Sequence, residues 1–217
     1  MLRIGIFGTG SVGSAVASRL VELGHEVRMG SRTAHNEAAT EWAEAAGEPA
    51  THGTFADAAA FGQLLVNATV GAGSLDAIGS AAPADLEGKV LLDISNPLDF
   101  SAGFPPTLSV KDTDSLAETI QRAFPGLRVV KSLNTMTADV MVHPAQLSAS
   151  HDVFMSGNDA DAKEAVAELL AGFGWPADDI VDLGDLSTAR GTEMYLPLWL
   201  RLMAALGTPA FNIKVVR

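Results

Sequence analysis

Three glycines at fixed spacing, in Gly8-Thr9-Gly10-Ser11-Val12-Gly13, constrain this chain more than any other stretch. They follow a short apolar run, Leu2–Phe7, and open a segment, Ser14–Leu23, with helical spacing. Val12, Val16 and Leu20 fall on one helical face, with Arg19 and Glu22 elsewhere. Gly24 is a natural helix stop, and His25–Met29 reads as a second strand. Strand, turn, helix and strand within about 30 residues form a βαβ unit. In that setting Gly8 allows the tight turn. Gly10, lacking a Cβ, lets a pyrophosphate approach the backbone, and Gly13 lets the helix pack close to the sheet. The helix start offers free N–H groups and a partial positive charge to phosphate. A ligand-free glycine turn does not need three glycines at these positions.

The alternation continues. Helices are expected over Thr33–Ala46, Ala56–Phe61, Leu75–Ala82, Ser115–Phe124 and Ala160–Phe173, and one long helix over Ser187–Leu206 despite Gly191 and Pro197. Strands are expected over Gln63–Thr69, Lys89–Ile94, Leu127–Ser132, Asp152–Ser156 and Ile180–Leu183. This order predicts an α/β Rossmann fold, a doubly wound, mostly parallel sheet with a small C-terminal helical lobe. The expected division is a dinucleotide domain over residues 1–156 and a C-terminal lobe over 157–217 that completes the substrate cleft. The stretch Asn96–Asp114, rich in Pro, Gly, Ser and Asp, follows a strand's carboxyl end, where ligand sites of α/β sheets lie. Loops of this length are commonly functional.

The second strand selects the cofactor. An NAD site places Asp or Glu about 20 residues beyond the loop, on the ribose 2′-hydroxyl. Here the region reads Arg28-Met29-Gly30-Ser31-Arg32-Thr33, with no acid. A hydroxyl at Ser31 and a guanidinium at Arg32 suit a 2′-phosphate, so NADP(H) is expected.

Composition narrows the partners. Net charge is −12, which argues against nucleic acid, and no segment is long and apolar enough to span a bilayer. The start, MLRIGIFG, shows no cleavage site. With no cysteine there is no disulfide, zinc–thiolate site or Cys nucleophile. A cytoplasmic protein without metal is expected, acting on a small-molecule redox acceptor. The stripe Met194, Leu198, Leu202 and Leu206 suggests a lobe interface or a homodimer contact.

Four stretches, IGIFGTGSVG, GHEVRMGSR, VVKSLNTMTADVM and the ending FNIKVVR, resemble the NADPH-dependent F420 reductase family over nearly the whole chain. The same cofactor domain occurs in membrane ferric reductases and resembles pyrroline-5-carboxylate reductases. The resemblance implies hydride transfer between nicotinamide and the deazaflavin coenzyme F420. It implies NADP contacts at Thr9, Ser11, Val12, Ser31, Arg32 and Ala68-Thr69-Val70. Asn96-Pro97-Leu98 would border the nicotinamide. The deazaflavin side would include Leu133-Asn134-Thr135-Met136 and part of the C-terminal tail, so Pro97, Asn134 and Thr135 are the candidate catalytic residues. The family's characterised archaeal members carry His where Asn134 stands, and their counterpart of the Asn96–Asp114 loop is shorter. F420 carries a phosphate and a glutamate tail, so its site should gather local cations, for which Lys131, Arg190, Arg201 and Lys214 are the candidates. Arg190 and Glu193 read as a surface pair one helical turn apart. The alternatives are an NADPH-dependent reductase of a flavin, imine or metal chelate, and a non-catalytic NADP(H) sensor.

Overall fold

The computed structural model describes residues 1–216; Arg217, the last residue of the FNIKVVR ending, lies outside the described residues. The first third of the chain runs β1 (Arg3–Phe7), α1 (Ser11–Glu22), β2 (Glu26–Ser31), α2 (Glu37–Ala46), β3 (Ala50–Thr54), α3 (Phe55–Phe61) and β4 (Leu64–Asn67). It continues through α4 (Ser74–Gly79), α5 (Pro83–Leu86), β5 (Val90–Asp93), a small hairpin of β6 (Leu98–Asp99) and β7 (Thr107–Leu108), α6 (Leu116–Ala123) and β8 (Arg128–Ser132). The last part holds α7 (Ala138–Val142), β9 (Val153–Gly157), α8 (Ala160–Phe173), β10 (Ile180–Asp182), α9 (Ala189–Met194) and α10 (Leu196–Leu206).

The main sheet has eight strands in the order β10-β9-β8-β5-β4-β1-β2-β3. From β3 to β8 every neighbour pair is parallel, which is the doubly wound Rossmann arrangement. β9 pairs antiparallel with β8, and β10 pairs parallel with β9, so the sheet is mixed at that edge. Residue 156 falls inside β9, and hydrogen bonding continues across it to β10.

Alternation along the central strands explains why both faces are covered. Leu64 and Val66, Val90 and Leu92, and Val130 join one apolar cluster with Val16 and Leu20 of α1, Trp42 of α2 and Leu170 of α8. Leu65, Leu91 and Val129 point the other way, to Ala59 of α3, Ile78 of α4 and Ile120 of α6. Successive strand side chains alternate faces, so a continuous apolar run needs helices on both sides.

Several elements depart from the sequence expectation. The edge strand β3 has no apolar alternation in Ala-Thr-His-Gly-Thr; its register on β2, from Val27–Ala50 to Ser31–Thr54, holds it in the sheet. The helix expected from Thr33 starts at Glu37, where Asn36 caps it by accepting from the Ala39 amide at 3.1 Å. The long C-terminal helix is broken into α9 and α10 next to Pro197, which has no N–H for the helical ladder.

Arg190 is not a surface partner of Glu193. It reaches across to α6 and grips Glu118, with Nε donating to Oε2 at 2.8 Å. That bond, opposed by burial and helped by Ser115, holds the Glu118 carboxyl below the ordinary glutamate range. A depressed folded value means stability that is present above the unfolded pKa, about 4.3, and lost as pH falls through the folded one. Glu118→Gln should therefore be less stable than wild type in urea denaturation near neutral pH. The gap should close in acid, once Glu118 is protonated.

Candidate functional site

The glycine loop bridges the carboxyl end of β1 and the start of α1, and backbone contact dictates its residues. Gly8 has φ +119°, and a Cβ there would lie 2.6 Å from the Ala68 carbonyl oxygen. A Cβ on Gly13 would overlap the Gly8 carbonyl oxygen. Gly10 differs: its added Cβ would meet no protein atom within 4 Å, so the position faces open space. Gly10 is also the N-cap of α1, with no side-chain cap and no acid in the first turn. The free amides at this 12-residue helix start thus face the opening.

That opening is a cleft of about 1100 Å³ whose walls include Gly8, Thr9, Gly10, Ser31, Arg32, Ala68, Thr69 and Val70. Ser11, Val12 and Gly13 form the first turn of α1 behind it. On one side lie Ser31, Arg32 and Thr33 at the end of β2. Ser31 is buried and its hydroxyl donates to the Thr33 carbonyl, fixing the bend that presents Arg32. Arg32 is exposed and has no salt-bridge partner among the described residues. Asp57, next in sequence to the cleft residues Thr54, Phe55 and Ala56, accepts from Thr54 N at 2.8 Å and Thr54 Oγ1 at 2.6 Å. On the other side lie Asp76 and Ala77 of α4 and Ser80 just after it, and Val70 stands 70% exposed at the rim.

The remaining candidates sit along the same sheet edge but outside the lining of that cleft. Asn96 follows β5, and the backbone of Gly71, next to the cleft residues Val70 and Ala72, lies against its carbonyl. Asn96 and Asn134 bond reciprocally: Asn96 Nδ2 donates to the Asn134 carbonyl at 2.8 Å, and Asn134 Nδ2 to Asn96 Oδ1 at 3.0 Å. Pro97 is buried, and its carbonyl accepts from Ser109 N at 2.8 Å. Thr135 is buried, and the residue before Asn134, Leu133, is held at φ +64°, a conformation that costs energy for a leucine. The C-terminal tail returns to this place: Asn212 Nδ2 lies 4.0 Å from Met136 Sδ and donates to the Asp152 carbonyl at 2.9 Å.

The four expected cations do not gather. Lys131 is buried against Asp93 at 2.9 Å and Glu193 at 2.8 Å. Arg190 is held by Glu118, and Lys214 by Asp152 and Asp179, both at 2.7 Å. Only Arg201 has no carboxylate partner among the described residues. Burial opposes the charge on Lys131, but Asp93 and Glu193 outweigh it and lift the ammonium above its ordinary pKa. Sequence reasoning missed this cluster, although a charged residue ending an apolar strand, Asp93 after Val-Leu-Leu and Lys131 after Val-Val, signals a buried partner. Glu193 gave no such signal. Among the described residues no group of acidic or histidine side chains could hold a metal, and no helix is long and apolar enough to cross a membrane.

A doubly wound sheet with a glycine loop open at Gly10, and Ser31-Arg32 at the cleft after the second strand, is a Rossmann dinucleotide-binding arrangement, and the comparisons with known proteins make it that of an NADP-dependent oxidoreductase. A family model described as NADP oxidoreductase, coenzyme F420-dependent, matches residues 3–97. The crystal structure of a candidate F420-dependent NADP-reductase from Arthrobacter sp. FB24 is 49% identical, covers 100% of both chains and superposes with a TM-score of 0.94. The F420-dependent NADP reductase of Methanothermobacter marburgensis is 28% identical over 205 residues, 90% of this chain and 89% of that protein. Metalloreductase STEAP3 of Rattus norvegicus is also 28% identical, over 201 residues; they are 91% of this chain but only 38% of that longer protein. The chain belongs to the F420-dependent NADP oxidoreductase family.

The glycines separate folding from binding. Gly10→Ala should keep wild-type thermal stability, because its Cβ meets no protein atom, yet should weaken NADPH binding more than about tenfold by crowding the phosphates. Gly13→Ala should lower the melting temperature even without cofactor. Calorimetry with and without NADPH checks both.

Proposed function

We propose that this enzyme transfers a hydride between NADP(H) and a deazaflavin ring. NADP(H) would lie with its pyrophosphate on Gly8–Gly13, its 2′-phosphate on Ser31 and Arg32, and its ribose chain along Ala68, Thr69 and Val70. The observation that carries the cofactor reading is the open cradle at Gly10 beside an Arg32 that has no internal carboxylate. When bound, the cofactor supplies the hydride. The chain's residues bind and orient, and positioning of two preformed hydride carriers can supply most of the barrier reduction. Asn96 and Asn134, each immobilised by the other, would form the wall against the nicotinamide, with Pro97 and Thr135 beside them. The Asn212 tail at Met136 supports placing the acceptor on that side.

The F420 assignment rests on family membership and the 49% identical relative. The internal pairing of Lys131, Arg190 and Lys214 favours a second reading, reduction of an acceptor without an anionic tail, such as a flavin, an imine or a metal chelate. Anaerobic stopped-flow of the enzyme and NADPH with oxidised F420, FMN or FAD separates them. Bleaching of the deazaflavin at catalytic rates supports the first reading. Turnover with flavin alone supports the second, and binding without any turnover supports a sensor. A soluble homodimer built on α10, whose Leu198 and Leu206 are exposed, belongs to the same proposal; sedimentation tests it.

Arg32→Ala should weaken NADPH by about tenfold to a hundredfold, since a charge-assisted hydrogen bond is worth roughly 1.5–3 kcal/mol. NADH affinity should stay the same. An unchanged NADPH dissociation constant in titration would overturn the 2′-phosphate assignment.

A further inference from the structure

We propose that Lys131 and Glu193 are positioning residues that clamp the base of the 96–114 segment and so hold Asn96 against the nicotinamide. The inference rests on the reading that Asn96 borders that ring.

The geometry joins both ends of the segment to one buried ion pair. At the entrance, Lys131 Nζ donates to the Ser95 carbonyl, and Asp93 Oδ1 accepts from Ser95 N at 3.2 Å and Ser95 Oγ at 2.6 Å. Asn67 Nδ2 adds bonds to Asp93 Oδ1 at 2.9 Å and Ser95 Oγ at 3.2 Å. The peptide leading into Asn96 is therefore held on every polar atom of Ser95. At the exit, Glu193 Oε2 accepts from the Leu116 amide at 2.8 Å and Oε1 from the Ala117 amide at 3.2 Å, at the start of α6. The 2.8 Å Lys131–Glu193 pair ties exit to entrance. Lys131, Asp93 and Glu193 are all buried, and removing ions from water is costly. An apolar core would serve packing alone at least as well. What the ions add is direction: each bond aims at a backbone atom at one end of the segment. Between these ends the chain forms a two-pair hairpin, closed by Ser109 N on the Pro97 carbonyl at 2.8 Å, and its tip carries the exposed Phe100 and Phe104, so the segment's placement on the sheet depends on its two ends and on the Asn96–Asn134 bonds. Glu193 comes from α9, so the C-terminal region takes part in shaping a site whose other residues, Asn96 and Asn134, follow β5 and β8.

The test compares two ligands. NADPH reaches the nicotinamide end; adenosine 2′,5′-bisphosphate carries only the phosphorylated ribose and adenine. Lys131→Met with Glu193→Gln removes one charge of each sign, leaving Asp93 with its Asn67 and Ser95 donors. It should weaken NADPH about tenfold and reduce the fluorescence enhancement of its bound nicotinamide, while the bisphosphate stays within about twofold. Glu193→Gln alone should move the ratio of the two affinities the same way by a smaller factor. Leu169→Ala, a core truncation in α8, should lower stability without moving the ratio. An unchanged ratio in both charge variants, or an equal loss for both ligands, would overturn the inference. Asn96→Ala separates the two readings. If it moves the ratio and the charge variants do not, only the clamp is wrong. If Asn96→Ala leaves the ratio unchanged, the placement of Asn96 at the nicotinamide fails and the inference falls with it.

Discussion

The first turn of α1 rests on the carbonyl of Gly8, and this contact exists because Gly13 has no Cβ. Much else depends on it. It brings the helix start to the carboxyl edge of β1, aims unpaired amides outward, and leaves Gly10 facing solvent rather than protein. Gly8 in turn lies against the Ala68 backbone, so the end of β4 is drawn to the same place. The open glycine loop and one wall of the cleft thus follow from a single close approach of main chains. Because the contact is between backbones, no change of side chain elsewhere can substitute for it.

Charge is arranged so that one cation faces the cleft while others are consumed internally. On a chain of net charge −12, long-range attraction for an anionic cofactor is absent, and binding depends on short-range donors. Arg32 at the cleft has no salt-bridge partner among the described residues, and Asp57 is occupied by Thr54 in a capping box. Lys131, Arg190 and Lys214 join distant elements: strand end to α9, α6 to α9, and tail to the residues just before β9 and β10. The cations therefore stabilise the meeting of the C-terminal region with the sheet. The stretch from Asn134 to Met136, beside Asn96, is left polar but uncharged and is buried.

How much was legible varies with the range of the interaction. The glycine loop, the Ser31-Arg32 pair at the cleft and the apolar strands β1, β4, β5 and β8 are local patterns, and the chain shows them where they were expected. β3 was not legible, because an edge strand of Thr, His and Gly is defined by its partner's hydrogen bonds and not by its own apolarity. The break before α10 could be read from Pro197, but the repeating leucines outweighed it. Asn96 and Asn134 were both visible as candidates, while their mutual bonding, across 38 residues of sequence, was not.

The residue order alone determined the dinucleotide motif, the phosphorylated form of the cofactor it suits and the alternating α/β plan, because each depends on residues within one turn or one strand of each other. Tertiary structure decided which cations remain free, which way β9 and β10 run, and that Glu193 of α9 closes the segment that begins at Ser95. Those outcomes depend on groups far apart in the chain competing for the same partners, and a competition of that kind is settled only when the sheet brings them together.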